Sequence, residues 1–330
     1  MSSHFMEAKR TALILGVNGQ DGSYLAECLI KSGWSVIGVG RQSVLRKEIK
    51  ELPIKYFKLD LSNIENYEEL LMAVKPDVIF HTAAVHGSSG FEYESNWKDS
   101  HMVNTLSLHA TLEYIRKLKI SSQIVYFGSS KMFGDLGGRK IDESSCKHST
   151  CIYSITKNSS VSLIEYYRAE YDISASVIWL FNHDSPRRNV SYFLPKIVNV
   201  IRQSISNPSY KESVVTLDFW CDWGYAKEYM ELLVGHYDKI IGYDFVLATG
   251  KTVWAKKMVR DLFCNHGLDF NNHITTQKYN PKKHESYWEA DVSKFKDITG
   301  VIPNISNIDV CEKILQNELR YTELTKHKLL

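Results

Sequence analysis

Near its start the chain reads TALILGVNGQDGSYLAECL, and this stretch limits the possible architectures more than any other. An apolar, β-rich run ends at Gly16, glycine recurs at 19 and 22, and an amphipathic stretch begins at once. Glycines so spaced let the backbone close on a pyrophosphate, whose charge is stabilised by the amide groups of a helix N-terminus. Glycine also serves ordinary tight turns, where φ is positive. The strand-turn-helix setting selects dinucleotide binding over that plain alternative, and Asn18, Gln20 and Asp21, between Gly16, Gly19 and Gly22, become expected cofactor contacts.

The same alternation then repeats. WSVIGVG, IKYFKLD, DVIFHTA, SQIVYFG and SASVIWLF read as strands, with helices expected from about residue 64, through 100 to 117 and over about 152 to 170. That order describes an α/β fold, a Rossmann-type parallel sheet built from βαβ units, expected over 8–182. DFVLATG at 244–250 reads as one more strand, so the chain is expected to return to this domain near 221–250. Beyond Asn182 the rhythm loosens, and 183–330 is read mainly as a smaller C-terminal region that holds the substrate.

With 40 basic and 38 acidic residues and a formal charge of +2, nothing points to nucleic acid or an anionic membrane as partner. Six cysteines without framework spacing fit reduced thiols, and no apolar run approaches membrane-spanning length. A cytoplasmic protein with a few loose leading residues and no metal site is the expectation.

The tip of the second strand, GVGRQS, lacks an acidic residue to grip a ribose 2′-hydroxyl, while Arg41 suits a 2′-phosphate. That favours NADP, although an arginine stacked on adenine leaves NAD open. Asp60 and Leu61 end the third strand, where adenine would lie; a capped helix start is the plainer reading of the same residues. Ala83 and Ala84, after the fourth strand, are assigned to the cofactor as well.

FGSSKMFG ends the SQIVYFG strand, and Tyr153 and Lys157 stand one helical turn apart some 24 residues beyond Ser129. With 19 tyrosines such a pair is unremarkable by itself, so its placement after the serine strand carries the weight. A cation near a phenol favours phenolate. Tyr153 would then take a hydroxyl proton while hydride leaves the same carbon, and Ser129 or Ser130 would hold the oxygen. The plain alternative is an amphipathic surface pair.

Taken with LFNHDSPRR at 180–188, CDWGYAKEYME at 221–231, FVLATG and DVSK, the chain resembles the GDP-mannose 4,6-dehydratase family of extended short-chain dehydrogenase/reductases. The resemblance implies a Rossmann domain with a smaller sugar-nucleotide domain and Tyr153 and Lys157 as the redox pair. It also implies His183 and Arg188 as cofactor contacts, the latter in a loop that builds a homotetramer, with a dimer left open. Asn182, Lys196, Ser129 and Lys131 are the expected contacts to a small-molecule sugar nucleotide.

The departures are chemical. Family dehydratases read Thr-Ser-Glu where this chain has Ser129-Ser130-Lys131, and that glutamate removes the C5 proton. Cys221 replaces an arginine, Leu194 and Pro195 replace a threonine and an arginine, and NPKKHESYWEAD offers no counterpart to the family's Arg-Pro-x-Glu. Lys131 could be a neutral base only if its pKa fell by about three units, a cost of about 4 kcal/mol. As a cation it could hold a sugar oxygen or phosphate, or simply point to solvent. What remains is hydride transfer at C4: a dehydrogenase, ketoreductase or epimerase acting on a GDP-hexose or GDP-heptose of manno configuration with NAD or NADP. A 4,6-dehydratase using His86 or Glu92 as base is the alternative, and a dinucleotide or sugar-nucleotide sensor is the non-enzymatic one; the presence of both Tyr153 and Lys157 speaks against the sensor.

Overall fold

The computed structural model describes residues 9–88, 90–134, 138–277, 287 and 289–326. The expected loose leader, residues 1–8, and most of NPKKHESYWEAD lie outside the described residues.

Seven parallel strands form the main sheet, in the spatial order Phe245–Leu247, Ala175–Leu180, Gln123–Ser129, Val78–His81, Thr11–Leu15, Ser35–Gly40 and Ile54–Lys58. The inner strands are buried along nearly their whole length, as a parallel sheet covered on both faces requires. Alternation along one strand assigns each residue to a face. Leu13 and Leu15 join Tyr126, Val161 and Ile164 in one core, whereas Ala12 and Ile14 join Leu25, Leu29, Tyr229 and Leu233 in the other. The chain winds outward from Thr11–Leu15 to Ile54–Lys58, then restarts on the other side at Val78–His81. That reversal opens a crevice at the carboxyl ends of the two central strands, where such sheets bind ligands.

Two helices differ from expectation. The helix behind the glycine turn runs Gln20–Lys31, starting slightly earlier than expected. The helix expected through 100 to 117 is Trp97–His101 and Ser107–Leu118 joined by a π-helical turn, Met102–Leu106. Such a turn swings the intervening side chains out of α-helical register.

The remaining chain builds a third core, in which Leu194, Ile197 and Ile201 pack on Trp223, Val259, Phe263 and Ile314. A three-stranded sheet, Asn182–Asp184 with Trp220–Tyr225 and Thr252–Trp254, edges this region. Asp222 fixes the turn beside it: its carboxylate accepts from Thr249 Oγ1 at 2.6 Å and from the Gly250 amide at 2.8 Å. Among the described residues no helix is long and apolar enough to cross a membrane.

Candidate active site

The glycine turn is built by contact as well as by conformation. Gly16 has φ +87°, and a Cβ there would come within 2.9 Å of the Ala83 Cα; one on Gly22 would come within 2.4 Å of the Gly16 carbonyl oxygen. Helix and strand therefore approach closely only because both positions lack side chains. Gly19 starts the helix without a side-chain cap, so the first amide groups face the crevice mouth without a competing side-chain acceptor.

Gly16, Asn18, Gly19, Arg41, Asp60, Leu61, Ala83 and Ala84 line one cleft of about 240 Å³. The residues fit a dinucleotide: a glycine cradle that any Cβ would fill, an uncapped helix start, and a cation beside a carboxylate. Asp60 is a turn acceptor that also lines the cleft, and it does not cap the following helix. It accepts from the Ser62 amide at 3.0 Å as a turn residue, and it lines the cleft, where burial opposes its charge but Ser62 and Arg41 keep its pKa below the usual carboxylate value. The helix start itself is capped by Asn63, which accepts from the Asn66 amide at 3.1 Å.

Asn18 holds the cleft's rim. Its amide donates to Val44 O at 3.0 Å and Gln42 Oε1 at 3.1 Å and accepts from the Arg46 amide at 2.9 Å. Arg46 in turn reaches Gly19 O at 3.3 Å. Gln42 and Arg46 were missed in the sequence; the signal was the second arginine of RQSVLR, five residues beyond Arg41.

Gln20 and Asp21 turn the other way. Gln20 donates to His183 O at 3.1 Å and accepts from Ser185 Oγ at 2.8 Å, while Asp21 Oδ1 lies 2.9 Å from His183 Nε2. Arg187 stacks 3.7 Å over the Tyr24 ring and pairs with Glu27. Three residues of the NHDSPRR segment, His183, Ser185 and Arg187, thus grip the helix behind the glycine turn. Arg188 instead lies 3.7 Å over the Tyr192 ring, 3.5 Å from Asp184.

Tyr153 and Lys157 are both buried in the helix Ile152–Tyr171. Lys157 Nζ donates to Phe127 O at 2.7 Å, sits 4.5 Å over the Tyr126 ring and is 6.0 Å from the centre of the Tyr153 ring. Burial lowers its pKa to about 7. The Ser129 side chain reaches the phenol of Tyr153 closely enough to act against its burial, whereas Ser130 is buried in the short turn Ser130–Met132. Of the two candidate serines, Ser129 is the one brought to the tyrosine.

The expectation that Lys157 draws the phenol toward neutrality is corrected. Burial pushes the Tyr153 pKa well above 10, and the groups acting against burial are Ser129 and Arg188. The lysine ammonium is directed at a strand carbonyl instead.

Beside Tyr153 stands an aromatic wall. His86 meets the Tyr153 ring edge-on at 4.6 Å and Tyr93 lies 6.0 Å from it, with Tyr192 stacked on His86 at 6.0 Å. Asn104, carried inward by the π-helical turn, clamps the parts together: Oδ1 accepts from the Val85 amide at 2.7 Å and Nδ2 donates to Thr156 Oγ1 at 3.0 Å. No motif in the sequence marks Asn104, Tyr93 or Tyr192, and the inward position of Asn104 follows from the π turn.

Other expected residues stand further out. Lys131 is exposed on the turn after the serine strand, close enough to His86 and Tyr93 to act on their titration. Asn182 is exposed on the edge strand. Lys196 donates to Ser213 O at 2.9 Å and lies 3.4 Å from Glu212. Of the two alternative bases, Glu92 is exposed and accepts from Ser95 Oγ at 3.2 Å, so only His86 reaches Tyr153. Among the described residues no group of three His, Cys, Asp or Glu side chains could hold a metal ion.

Known proteins share both fold and sequence. A UDP-glucose 4-epimerase from Thermotoga maritima superposes with TM-score 0.77 at 18% identity, covering 94% of this chain and 99% of its own. A dTDP-glucose 4,6-dehydratase from Bacillus anthracis gives 0.77 at 16%, covering 95% and 98%. In sequence, a GDP-mannose 4,6-dehydratase of Vibrio cholerae is 31% identical over 73% of this chain and 68% of its own length. GDP-mannose 4,6 dehydratase 1 of Arabidopsis thaliana is 26% identical over 98% and 94%. The family model described as GDP-mannose 4,6 dehydratase matches residues 13–314. With the glycine cradle, the Ser129–Tyr153–Lys157 set and a match across nearly the whole chain, the protein belongs to the GDP-mannose 4,6-dehydratase family of NAD(P)-dependent extended short-chain dehydrogenase/reductases.

Proposed function

We propose that the enzyme is a nucleotide-sugar C4 oxidoreductase, acting on a GDP-hexose or GDP-heptose of manno configuration. One arrangement supports this: Ser129, Tyr153 and Lys157 are brought together, while Lys131 stands where the family resemblance expects the carboxylate that elimination needs. The relatives' names supply the substrate class. NAD or NADP bound in the cleft would accept or return the hydride of C4; Arg41 favours the 2′-phosphate of NADP.

The chain's own groups handle the proton. Tyr153, protonated near neutrality, is ready to give its proton to a C4 ketone oxygen, and Ser129 holds that oxygen in line. In the oxidative direction the phenolate is stabilised by the Ser129 hydroxyl and by Arg188, both of which act against burial. Lys157, tied to Phe127 O, fixes the helix against the serine strand. Asn182, Lys131 and Lys196 are the proposed sugar-nucleotide contacts. A homotetramer built through the 181–188 loop belongs to the same proposal, and light scattering at micromolar concentration tests it.

The decisive experiment is product analysis by NMR after incubation with GDP-mannose and with a GDP-manno-heptose in deuterated water. Retention of the C6 hydroxyl with oxidation or inversion at C4 is expected. A C6 methyl signal with deuterium at C5 would establish dehydration instead and overturn the reading.

A further inference from the structure

His86 has no part in the C4 chemistry above, yet its ring contact with Tyr153, at 4.6 Å, is closer than that of Tyr93 at 6.0 Å. Its position is held from several sides. Tyr192 stacks on it with an interplanar angle of 17°, Tyr93 lies 6.3 Å away, and Nδ1 is 3.3 Å from the Tyr192 hydroxyl. The Tyr192 hydroxyl lies 3.3 Å from Nδ1 and 3.5 Å from the His86 carbonyl oxygen; when it donates along the shorter contact, Nδ1 accepts and the neutral ring carries its hydrogen on Nε2, a donor there.

The surroundings keep the ring neutral. Burial acts first, and Arg188, Lys131, Lys157 and His183 add positive charge from the substrate loop, the serine turn, the tyrosine helix and the edge strand, bringing the His86 pKa down to about 3. Tyr93, Tyr153 and Tyr192, which complete the enclosure, all have raised pKa values and bring no negative charge near neutrality. A histidine held neutral in this way is a poor proton acceptor and a fixed hydrogen-bond donor.

We propose that His86 is a specificity-determining residue, which donates a hydrogen bond from Nε2 to a sugar hydroxyl beside C4, either O3 or the O6 carried by the C5 substituent. The inference rests on the C4 reading. When the C4 oxygen sits on Tyr153, the substituents on C3 and on C5, which include O3 and O6, surround it, and a side chain in ring contact with that phenol is placed to meet one of them. His86 therefore selects for oxygenation beside the reacting carbon and takes no proton from it. A site built to hydrogen-bond a hydroxyl discriminates strongly against the analogue that lacks it.

The test compares the wild type with His86→Phe and His86→Gln on GDP-mannose and on its 3-deoxy and 6-deoxy analogues, with cofactor present. Both kcat/KM and binding by calorimetry are measured, and cofactor affinity is followed separately as a control for folding. In the wild type one deoxy analogue should lose about tenfold or more against GDP-mannose. His86→Phe, which keeps a ring against Tyr153, should lose as much on GDP-mannose and nothing further on that analogue. His86→Gln, whose amide nitrogen lies near the place of Nε2, should regain part of the discrimination. The acid limb of the pH profile should be the same in wild type and His86→Phe. Equal discrimination in wild type and His86→Phe, or an acid limb that disappears in the variant, would overturn the proposal. A wild type that binds these sugar nucleotides without turning them over sinks the C4 reading alone, since the binding pattern still decides the role of His86. One that binds none of them overturns both.

Discussion

His183 Nε2 lies 2.9 Å from Asp21 Oδ1, so a half-buried ion pair joins the edge strand that carries Asn182 to the first turn of the helix behind the glycine turn. Burial opposes both charges, but each partner restores the other: His183 titrates above its ordinary 6.5 and Asp21 below 3.8. The pair's contribution is complete between 3.8 and 6.5. It fades as pH rises through the raised value of His183 and as pH falls through the depressed value of Asp21. Asp21→Asn should therefore cost about 3 kcal/mol within that window. Denaturant unfolding at a series of pH values should show the gap to wild type narrowing on the alkaline side; a gap that stays constant there contradicts the pairing.

Tyr153→Phe removes the phenol hydroxyl and little volume. Activity should fall by about 100-fold or more, as for a lost general acid or base. Cofactor affinity and unfolding midpoint should change little, because the hydroxyl's neighbour Ser129 remains half-exposed and can bond to water. Near-native turnover would remove Tyr153 from the chemistry.

Gly22→Ala places a Cβ 2.4 Å from the Gly16 carbonyl oxygen, a backbone atom that cannot move without opening the turn. Stability should drop by about 1–3 kcal/mol, and cofactor titration by fluorescence should show weakened binding. A variant as stable as wild type would mean that the helix can shift away from the first strand.

Asn104→Ala leaves the Val85 amide without its acceptor at 2.7 Å and Thr156 Oγ1 without its donor at 3.0 Å. The loss should be about 1–3 kcal/mol. Because Val85 adjoins His86 and Thr156 lies between Tyr153 and Lys157, turnover should fall more than the loss of folded protein accounts for. Circular dichroism and kcat measured on the same preparation separate the two effects.

Lys131→Glu restores the family's carboxylate without the rest of the site. The aromatic wall of His86, Tyr93 and Tyr192 beside Tyr153 is untouched by the change, and under the proposed function it orients the sugar. Efficient 4,6-dehydration should therefore not appear, since C5 and C6 must also be aligned for elimination. Deuterium incorporation at C5, read by NMR, measures it, and substantial incorporation by this single variant would show that the residue at 131 alone selects the reaction.

The local patterns were readable because they obey short rules. A strand buried on both faces is a continuous apolar run, and ALIL, VIFH and SVIWL each became one. Hydrophobic periodicity predicts one continuous helix through 100 to 117 because it does not register a single π turn, within which Asn104 makes its tertiary hydrogen bonds. Asp60 could be read two ways in the sequence; the cap of the helix fell to Asn63, three residues on, and Asp60 became a turn acceptor on the wall of the cleft.

Gly16, Gly22, Tyr153 and Lys157 were determined by the sequence itself, since glycine's missing Cβ and the one-turn spacing of a tyrosine and a lysine are properties of a few neighbouring residues. Tertiary structure alone decided that Ser129 rather than Ser130 is brought to the tyrosine, that Lys157 is aimed at Phe127, that Asp21 is joined to His183 across 162 positions and that His86 comes to rest on Tyr153. These depend on which strand ends the sheet places side by side. A hydrogen bond or ring contact acts over a few ångströms, and the partners of one side chain are set by the winding of the whole sheet.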